Sequence, residues 1–172
     1  YMNFKFLLLL TLAVFAFEKR AMAQVDVTST GGTTSATYST LGAAFTEINN
    51  GTHTGTITIG ISANTSEGAT ATLSASGTGS ASYSAITISP TGGAGRTISG
   101  AITAGSPLID VSGADNVTFD GVNSGGNSLT ISNTTASATT GTCTFRFING
   151  ATGNTITKCT VLGSFSGTLA TN

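Results

Sequence analysis

Apolar residues alternate with threonine and glycine over much of this chain. From Gly55 the pattern has a period of two, with Ile57, Ile59 and Ile61 on one side of a predicted strand. Short apolar runs of the same kind recur between turns rich in Gly, Asn and Ser, at 86–88, 96–98, 108–111, 117–119, 129–131, 143–147 and 159–161. Each run is too short to bury much surface alone, so we expect the strands to stack on one another.

One segment has a helical period instead. Apolar residues recur at i, i+3, i+4 and i+7 between Leu41 and Ile48, which predicts a single amphipathic helix within residues 38–49. Ser39 or Thr40 can cap its start, and Gly51 provides a left-handed exit. Ahead of it, residues 24–35 predict an opening strand that runs into a turn. Residues 65–84 and 133–141 give no clear pattern.

These elements predict an all-β protein, a parallel β-solenoid with one short helix near its N-terminus. Residues 109–119 and 147–157 are similar, each with a strand, a turn and a second strand. Their asparagines, Asn116 and Asn154, lie 38 residues apart, which we interpret as two coils of about 20 residues. A β-sandwich is the alternative fold. We expect the opening strand and capping helix at 24–54 and the coils at 55–172.

The N-terminal residues predict export. Lys5 precedes an apolar run from Phe6 to Phe17, and a small-x-small motif ends at Ala23, so we expect signal peptidase to cleave between Ala23 and Gln24. The run is shorter than the ~20 residues of a membrane span. We therefore expect residues 1–23 to be a signal peptide, and the protein to be secreted or on the cell surface with no transmembrane anchor after cleavage.

Charge is sparse. Without residues 1–23, three basic and six acidic side chains remain, a net charge of −3. The basic residues Arg96, Arg146 and Lys158 are too few and too scattered to neutralise a row of phosphates, so nucleic-acid binding is excluded. Low charge also disfavours a helical domain, whose exposed faces carry many Glu, Lys and Arg residues.

Two stretches resemble a known fold. The helical segment Tyr38–Asn49 followed by the Gly55–Ile59 strand looks like the N-terminal cap and first coil of the right-handed parallel β-helix, the pectate-lyase-like family. Residues Asp110–Gly121 are similar to that family's "Asn, apolar, Thr, apolar, Asp-Gly" coil, and residues 146–157 repeat the pattern. The chain further resembles the start of large repetitive surface proteins exported by the type IX system. That resemblance implies an adhesin-like protein that ends in a C-terminal sorting domain.

The acidic residues Asp110, Asp115 and Asp120 are the only candidate metal ligands, as a weak calcium site. Strand alternation predicts that Asp110 and Asp120 point into solvent. Turn formation explains the same residues without a ligand. We therefore expect no metal, no cofactor and no catalytic residue in this chain.

Other candidates are isolated. His53 has no partner residue and is predicted to be a solvated loop residue, and Arg146 is predicted to be a solvated charge on an outer face. Cys143 and Cys159 are candidates for a disulfide between stacked coils, with two packed free thiols as the alternative that we favour.

Threonines on the outer faces, including Thr56 with Thr58 and Thr142 with Thr144, are similar to the flat arrays of ice-binding solenoids. Strand propensity alone also explains them, and coils of unequal length argue against a regular array. Ice binding is therefore a minor alternative.

We interpret the chain as a non-catalytic secreted or cell-surface module for adhesion or polysaccharide binding, its ligand site unknown. Its expected partners are polysaccharide or cell-surface glycans and the remainder of its own chain. The alternative is the N-terminal part of a carbohydrate-active β-helix enzyme, a polysaccharide lyase or glycoside hydrolase with its site downstream. Because Tyr1 precedes Met2 and no closing element precedes Asn172, we expect a longer protein, truncated at its C-terminal end, with apolar strand edges exposed there.

Overall fold

The computed structural model describes residues 24–164 and residue 166. The predicted signal peptide, residues 1–23, therefore lies outside the described residues. One helix, α1 (Leu41–Asn49), accompanies thirteen strands: β1 (Val25–Gly32), β2 (Ser35–Tyr38), β3 (His53–Ile61), β4 (Thr65–Ser66), β5 (Ala71–Ser74), β6 (Tyr83–Pro90), β7 (Gly95–Gly100), β8 (Pro107–Ser112), β9 (Val117–Asp120), β10 (Ser128–Asn133), β11 (Cys143–Ile148), β12 (Thr155–Thr157) and β13 (Cys159–Leu162).

The strands form a parallel β-solenoid of about three turns. Sheet A has the order β12-β9-β6-β3-β1-β2, sheet B the order β13-β10-β7-β4 and sheet C the order β11-β8-β5. The chain visits the sheets in rotation, so neighbouring strands of one sheet belong to successive coils. This result confirms the predicted β-helix with its short capping helix.

The coils are longer than the sequence interpretation allowed. Thr56 and Ser84 lie on neighbouring strands with their hydroxyls 3.2 Å apart, although they are separated by 28 residues of sequence. The Val117 N–H donates to Asn154 Oδ1 at 2.9 Å across a separation of 37 residues. Asn116 and Asn154 are therefore one coil apart. The expectation of coils of about 20 residues, a common solenoid repeat length, is wrong, because each full coil contains three strands and the turns between them.

The interior consists of apolar columns that run from coil to coil. In sheet A, Ile59, Ile88 and Phe119 are paired neighbours, all at most 1 % exposed. Phe119 also packs edge-on against Phe145 of sheet C, with ring centroids 5.0 Å apart. Burial of apolar surface contributes roughly 25 cal/mol per Å². A single coil has no core of its own, so the stacking of these apolar columns between coils is the main source of stability.

The N-terminal elements close one end of the solenoid. Strands β1 and β2 form an antiparallel hairpin, and β1 pairs antiparallel with β3 at the edge of sheet A. Helix α1 packs beside β5 and buries Leu41, Ala44, Phe45 and Ile48. Thr40 caps the helix by accepting the Ala43 N–H at 3.0 Å, one of the two caps that the sequence predicted.

All the apolar runs predicted as strands are strands, and β3 begins at His53, slightly before the predicted boundary. The sequence interpretation missed β2, which lies partly in the predicted helical segment. It also left β4 and β5 unassigned, because they are short and carry few large apolar residues.

Candidate functional site

A column of threonines crosses the outer face of sheet A. Thr58 pairs with Thr87, Thr87 with Thr118, and Thr118 with Thr155, while β1 adds Thr28 opposite Thr58. Each lies beside an inward apolar residue, and alternation turns the threonine outward. The five side chains, hereafter the sheet A column, are exposed or half-exposed.

Sheet B carries two shorter columns side by side. Thr97, Thr130 and Thr160 form one through paired strands β7, β10 and β13. A serine column, Ser66, Ser99 and Ser132, runs two residues further along the same sheet. The expectation that unequal coils prevent alignment is wrong for these columns, because the differences in coil length lie in the turns and the strand pairing keeps its register.

Not every predicted outward threonine joins such a column. Thr56 is exposed, but its partner in β6 is Ala85, so no threonine continues its row there. Thr144 is only 7 % exposed and donates its hydroxyl to the Leu162 carbonyl at 2.6 Å. The predicted outward pair of Thr142 and Thr144 is therefore not an accessible array.

The outer face of sheet C holds an ion pair in line with the exposed Thr72, which is the paired neighbour of Asp110. Arg146 donates Nε to Asp110 Oδ1 at 3.0 Å and Nη2 to Oδ2 at 2.6 Å, a bidentate contact between neighbouring coils. Asp110 is only 5 % exposed, whereas the Arg146 side chain is 40 % exposed. These hydrogen bonds raise the pKa of Arg146. The prediction of a solvent-facing Asp110 is wrong, because the guanidinium of the next coil lies against it.

The three aspartates are engaged separately. Asp115 accepts the Thr152 N–H at 2.6 Å and the Thr152 hydroxyl at 2.8 Å, and these bonds lower its pKa. Asp120 accepts the Val122 N–H at 2.9 Å and lies 3.7 Å from Lys158 Nζ. In the part of the chain that the structure describes, no group of three His, Cys, Asp or Glu side chains is placed to hold a metal ion. The structure thus does not bring the candidate calcium ligands together, and a cofactor-free protein stays a prediction.

The Asp120 turn is strained. Val122 has φ of +62°, a left-handed conformation that a β-branched residue rarely adopts. Its neighbour Asn123 also has a positive φ and donates Nδ2 to the Lys158 carbonyl at 3.0 Å. The turn after Asp120 stacks tightly on the chain at Lys158, because a Cβ on Gly121 would lie only 2.0 Å from the Lys158 carbonyl oxygen. This tight stacking explains the left-handed backbone of Val122 and Asn123.

His53 is buried, so the prediction of a solvated loop histidine is wrong. Its side chain is fully buried at the start of β3, where the Thr33 carbonyl lies 2.5 Å from Nδ1 and the Tyr38 hydroxyl 2.6 Å from Nε2. A carbonyl can only accept, so Nδ1 carries a proton, and in the neutral imidazole Nε2 accepts the hydrogen bond of the Tyr38 hydroxyl. The imidazole ties the β1–β2 hairpin to the first coil and has no access to a substrate.

Sequence reasoning missed a buried carboxylate. Glu67 is 3 % exposed and accepts the N–H groups of Leu41 and Gly42, each at 3.0 Å. A carboxylate here satisfies two free donors at the helix N-terminus and complements the helix dipole. Glu67 lies 26 residues after Leu41, so no local motif signals the contact, and its role is structural.

The cysteines lie in different sheets. Cys143 begins β11 of sheet C and Cys159 begins β13 of sheet B, and both are free thiols in the structure. Partial burial raises the pKa of each thiol. Their redox state in the exported protein stays a prediction.

Within residues 24–164, no helix combines the length and the hydropathy needed to cross a bilayer. Searches of protein-family models, of curated proteins and of solved structures find no match to this chain.

Proposed function

We propose that this chain is a non-catalytic module of a secreted or cell-surface protein, and that the outer faces of its solenoid bind neutral polysaccharide. The main support for the proposal is that threonine and serine side chains of neighbouring strands lie in register on the outer faces of sheets A and B. The threonine columns repeat a hydroxyl and a methyl group, and the serine column repeats a hydroxyl, at the strand spacing of about 4.8 Å. A polysaccharide chain also repeats hydroxyl groups and apolar ring faces along its length.

Charge supports a neutral ligand. Arg146 and Lys158 each lie against an aspartate of the neighbouring coil, so these two cations are already compensated within the chain. The columns themselves are uncharged. Contacts of this kind are individually weak, but a rigid array that engages many sugar units at once gains affinity by multivalency.

The cellular setting rests on the sequence. An N-terminal apolar run with a cleavage motif supports export, and the resemblance to pectate-lyase-like β-helices and to type IX surface proteins supports an adhesin-like role. Export and the adhesin-like role are both parts of the proposal. An extended, weakly charged solenoid suits display at a surface because its rigidity comes from coil-on-coil stacking.

The test is retention on insoluble neutral polysaccharides, such as cellulose, chitin and starch, by the purified chain and by its T87K/T118K variant. The two charges interrupt the centre of the sheet A column without touching the core. The matched control is Thr78→Lys, an exposed turn residue outside the columns. We expect the control to bind like the unaltered chain and the double variant to lose most retention. Failure to bind any of the polymers, or equal binding by both variants, would reject the proposal.

Ice binding is a second candidate function, favoured by the same columns. A rigid lattice of hydroxyl and methyl groups can order water as well as bind sugar. Thermal hysteresis of the chain in dilute buffer distinguishes the two: a freezing-point gap that T87K/T118K abolishes would favour ice. Polysaccharide retention without such a gap would favour the first proposal.

A further inference from the structure

The chain has two asparagines that are followed directly by glycine, in the pairs Asn50–Gly51 and Asn149–Gly150. Asparagine is one of the thermolabile residues of proteins, because the backbone nitrogen of the next residue can attack its side-chain amide. Glycine leaves that nitrogen unshielded, since it has no side chain and gives the backbone more freedom to turn. The two pairs have the same local chemistry, so a difference in their reactivity would come from the fold.

The fold protects the first pair. The Gly51 N–H donates to the Ile48 carbonyl at 3.0 Å, at the end of helix α1. A Cβ on Gly51 would lie 2.5 Å from the Ser80 carbonyl oxygen, so the backbone has little room to turn there. The Gly51 nitrogen can therefore attack Asn50 only after this end of the helix has opened.

The second pair lacks this protection. Asn149 and Gly150 lie in the turn between β11 and β12, and both are exposed. Among the described residues, the Gly150 N–H has no hydrogen-bond acceptor, and a Cβ on Gly150 would have no neighbour within 4 Å. The Gly150 nitrogen therefore faces solvent, and the backbone around it has room to turn.

One contact holds the Asn149 side chain. Its Nδ2 donates to Ser112 Oγ of the preceding coil at 2.8 Å. This hydrogen bond is exposed and joins two side chains, so water competes with it and its net contribution is small. The Asn149 side chain can therefore leave Ser112 without unfolding the coil.

We infer that Asn149 is a site of spontaneous deamidation through a succinimide. The Gly150 nitrogen attacks Asn149 Cγ and loses its proton, while the Cγ–Nδ2 bond breaks and ammonia leaves with that proton. Water then adds to one of the two carbonyl groups of the ring and opens it. The product is aspartate, or isoaspartate, in which the backbone continues through the side-chain carbon. The reaction consumes only water, and either product adds a negative charge to the turn.

The modification changes a contact between two coils. A carboxylate at position 149 can no longer donate to Ser112 Oγ and can only accept the Ser112 hydroxyl proton. In isoaspartate, an extra methylene group also lengthens the backbone next to Ile148, whose carbonyl accepts the Gly113 N–H at 2.9 Å. The inference concerns the covalent ageing of this turn, and it holds whether or not the outer faces bind polysaccharide.

Peptide mapping by mass spectrometry tests the inference, after incubation of the purified, folded chain in mildly alkaline buffer. Trypsin cleaves after Arg146 and Lys158, so Asn149 falls in the peptide Phe147–Lys158. Fragmentation of that peptide distinguishes Asn149 from Asn154. Incubation in water labelled with heavy oxygen marks the product, because the ring opens by adding water.

We expect Asn149 to form aspartate and isoaspartate at least about tenfold faster than Asn50, because the Gly51 amide must first leave its hydrogen bond. In denaturant, the two sites should react at similar rates. Asn149→Gln is the matched control and should stay unmodified over the same period, since its longer side chain would have to close a larger ring.

Equal rates at Asn149 and Asn50 in the folded chain would overturn the inference, because the fold would then not select the site. A rate difference that persists in denaturant would do the same, since neighbouring residues and not the fold would cause it. Aspartate without isoaspartate at position 149 would show that water attacks the side chain directly, and would overturn the succinimide route.

Discussion

Arg146 lies against Asp110 of the preceding coil, its guanidinium donating two hydrogen bonds of 3.0 and 2.6 Å to the two carboxylate oxygens. The pair couples strands β11 and β8 on the outer face of sheet C. Because Asp110 is nearly buried, it depends on this partner for compensation of its charge.

Removing only the cation of Arg146 should therefore lower the stability more than removing both charges of the pair. We expect Arg146→Leu to lower the melting temperature, and Asp110→Asn combined with Arg146→Leu to recover part of the loss, since no buried charge is then left unpaired. Thermal unfolding of the two single variants and the double variant measures the coupling. Additive effects would show that the pair does not act as a unit.

Glu67 should hold the helix cap in place. Glu67→Ala leaves the N–H groups of Leu41 and Gly42 without their acceptor in a buried position, so we expect a loss of about 2 kcal/mol in the free energy of unfolding. Denaturant unfolding measures it. Asp26→Asn, a half-exposed change in β1, is the control and should lie within about 0.5 kcal/mol of the unaltered chain. Equal effects of both variants would contradict the capping role.

One core hydroxyl should be dispensable. Thr65 is 2 % exposed, and its Oγ1 has no hydrogen-bond partner among the described residues. Thr65→Val keeps the shape and removes the desolvated hydroxyl, so we expect a gain of about 1 kcal/mol in the free energy of unfolding. The same change at the exposed Thr58 should bring no comparable gain. A destabilised Thr65→Val would mean that the hydroxyl has a partner in solution.

Alkaline pH should weaken the fold through Tyr83. Burial, and then the nearby charge of Asp115, raise the pKa of Tyr83 to about 12 from an ordinary 10.0. Its O–H donates to the Ser74 carbonyl. Because the folded state holds this proton more tightly than the unfolded state, the contribution to stability is fully present below pH 10 and is lost as the pH rises towards 12.

The measurement is the slope of unfolding free energy against pH in that window. Tyr83→Phe should reduce the slope, even though the variant also loses the bond to Ser74 and starts from lower stability. An unchanged slope would mean that Tyr83 titrates alike in both states.

The parts of this fold that depend on local pattern could be predicted from the sequence. Alternation placed Ile57, Ile59 and Ile61 inward, and the helical period placed Leu41 and Ile48 on the buried face, because side-chain direction follows directly from backbone geometry. The same rule placed Arg146 on the outer face.

Pairing across coils could not be predicted in this way. Coil length depends on turns of variable length, so the sequence did not reveal that Asn116 and Asn154 are one coil apart. The burial of Asp110 follows from the side chain of the next coil, and that of His53 from a hairpin whose second strand has no clear pattern. The threonine columns follow from the same pairing, which is why their alignment emerged only with the structure.

The register of these columns is the basis of the proposed binding face, and disulfide trapping tests it directly. In a C143A/C159A background, Thr97→Cys with Thr130→Cys joins paired residues of adjacent parallel strands, about 4.8 Å apart. Thr97→Cys with Ser132→Cys is the control, two residues out of register and about 8 Å apart. We predict that the first pair forms an intramolecular disulfide readily and the second does not. Equal crosslinking of the two pairs, or preferential crosslinking of the control, would contradict the aligned columns and the binding face built on them.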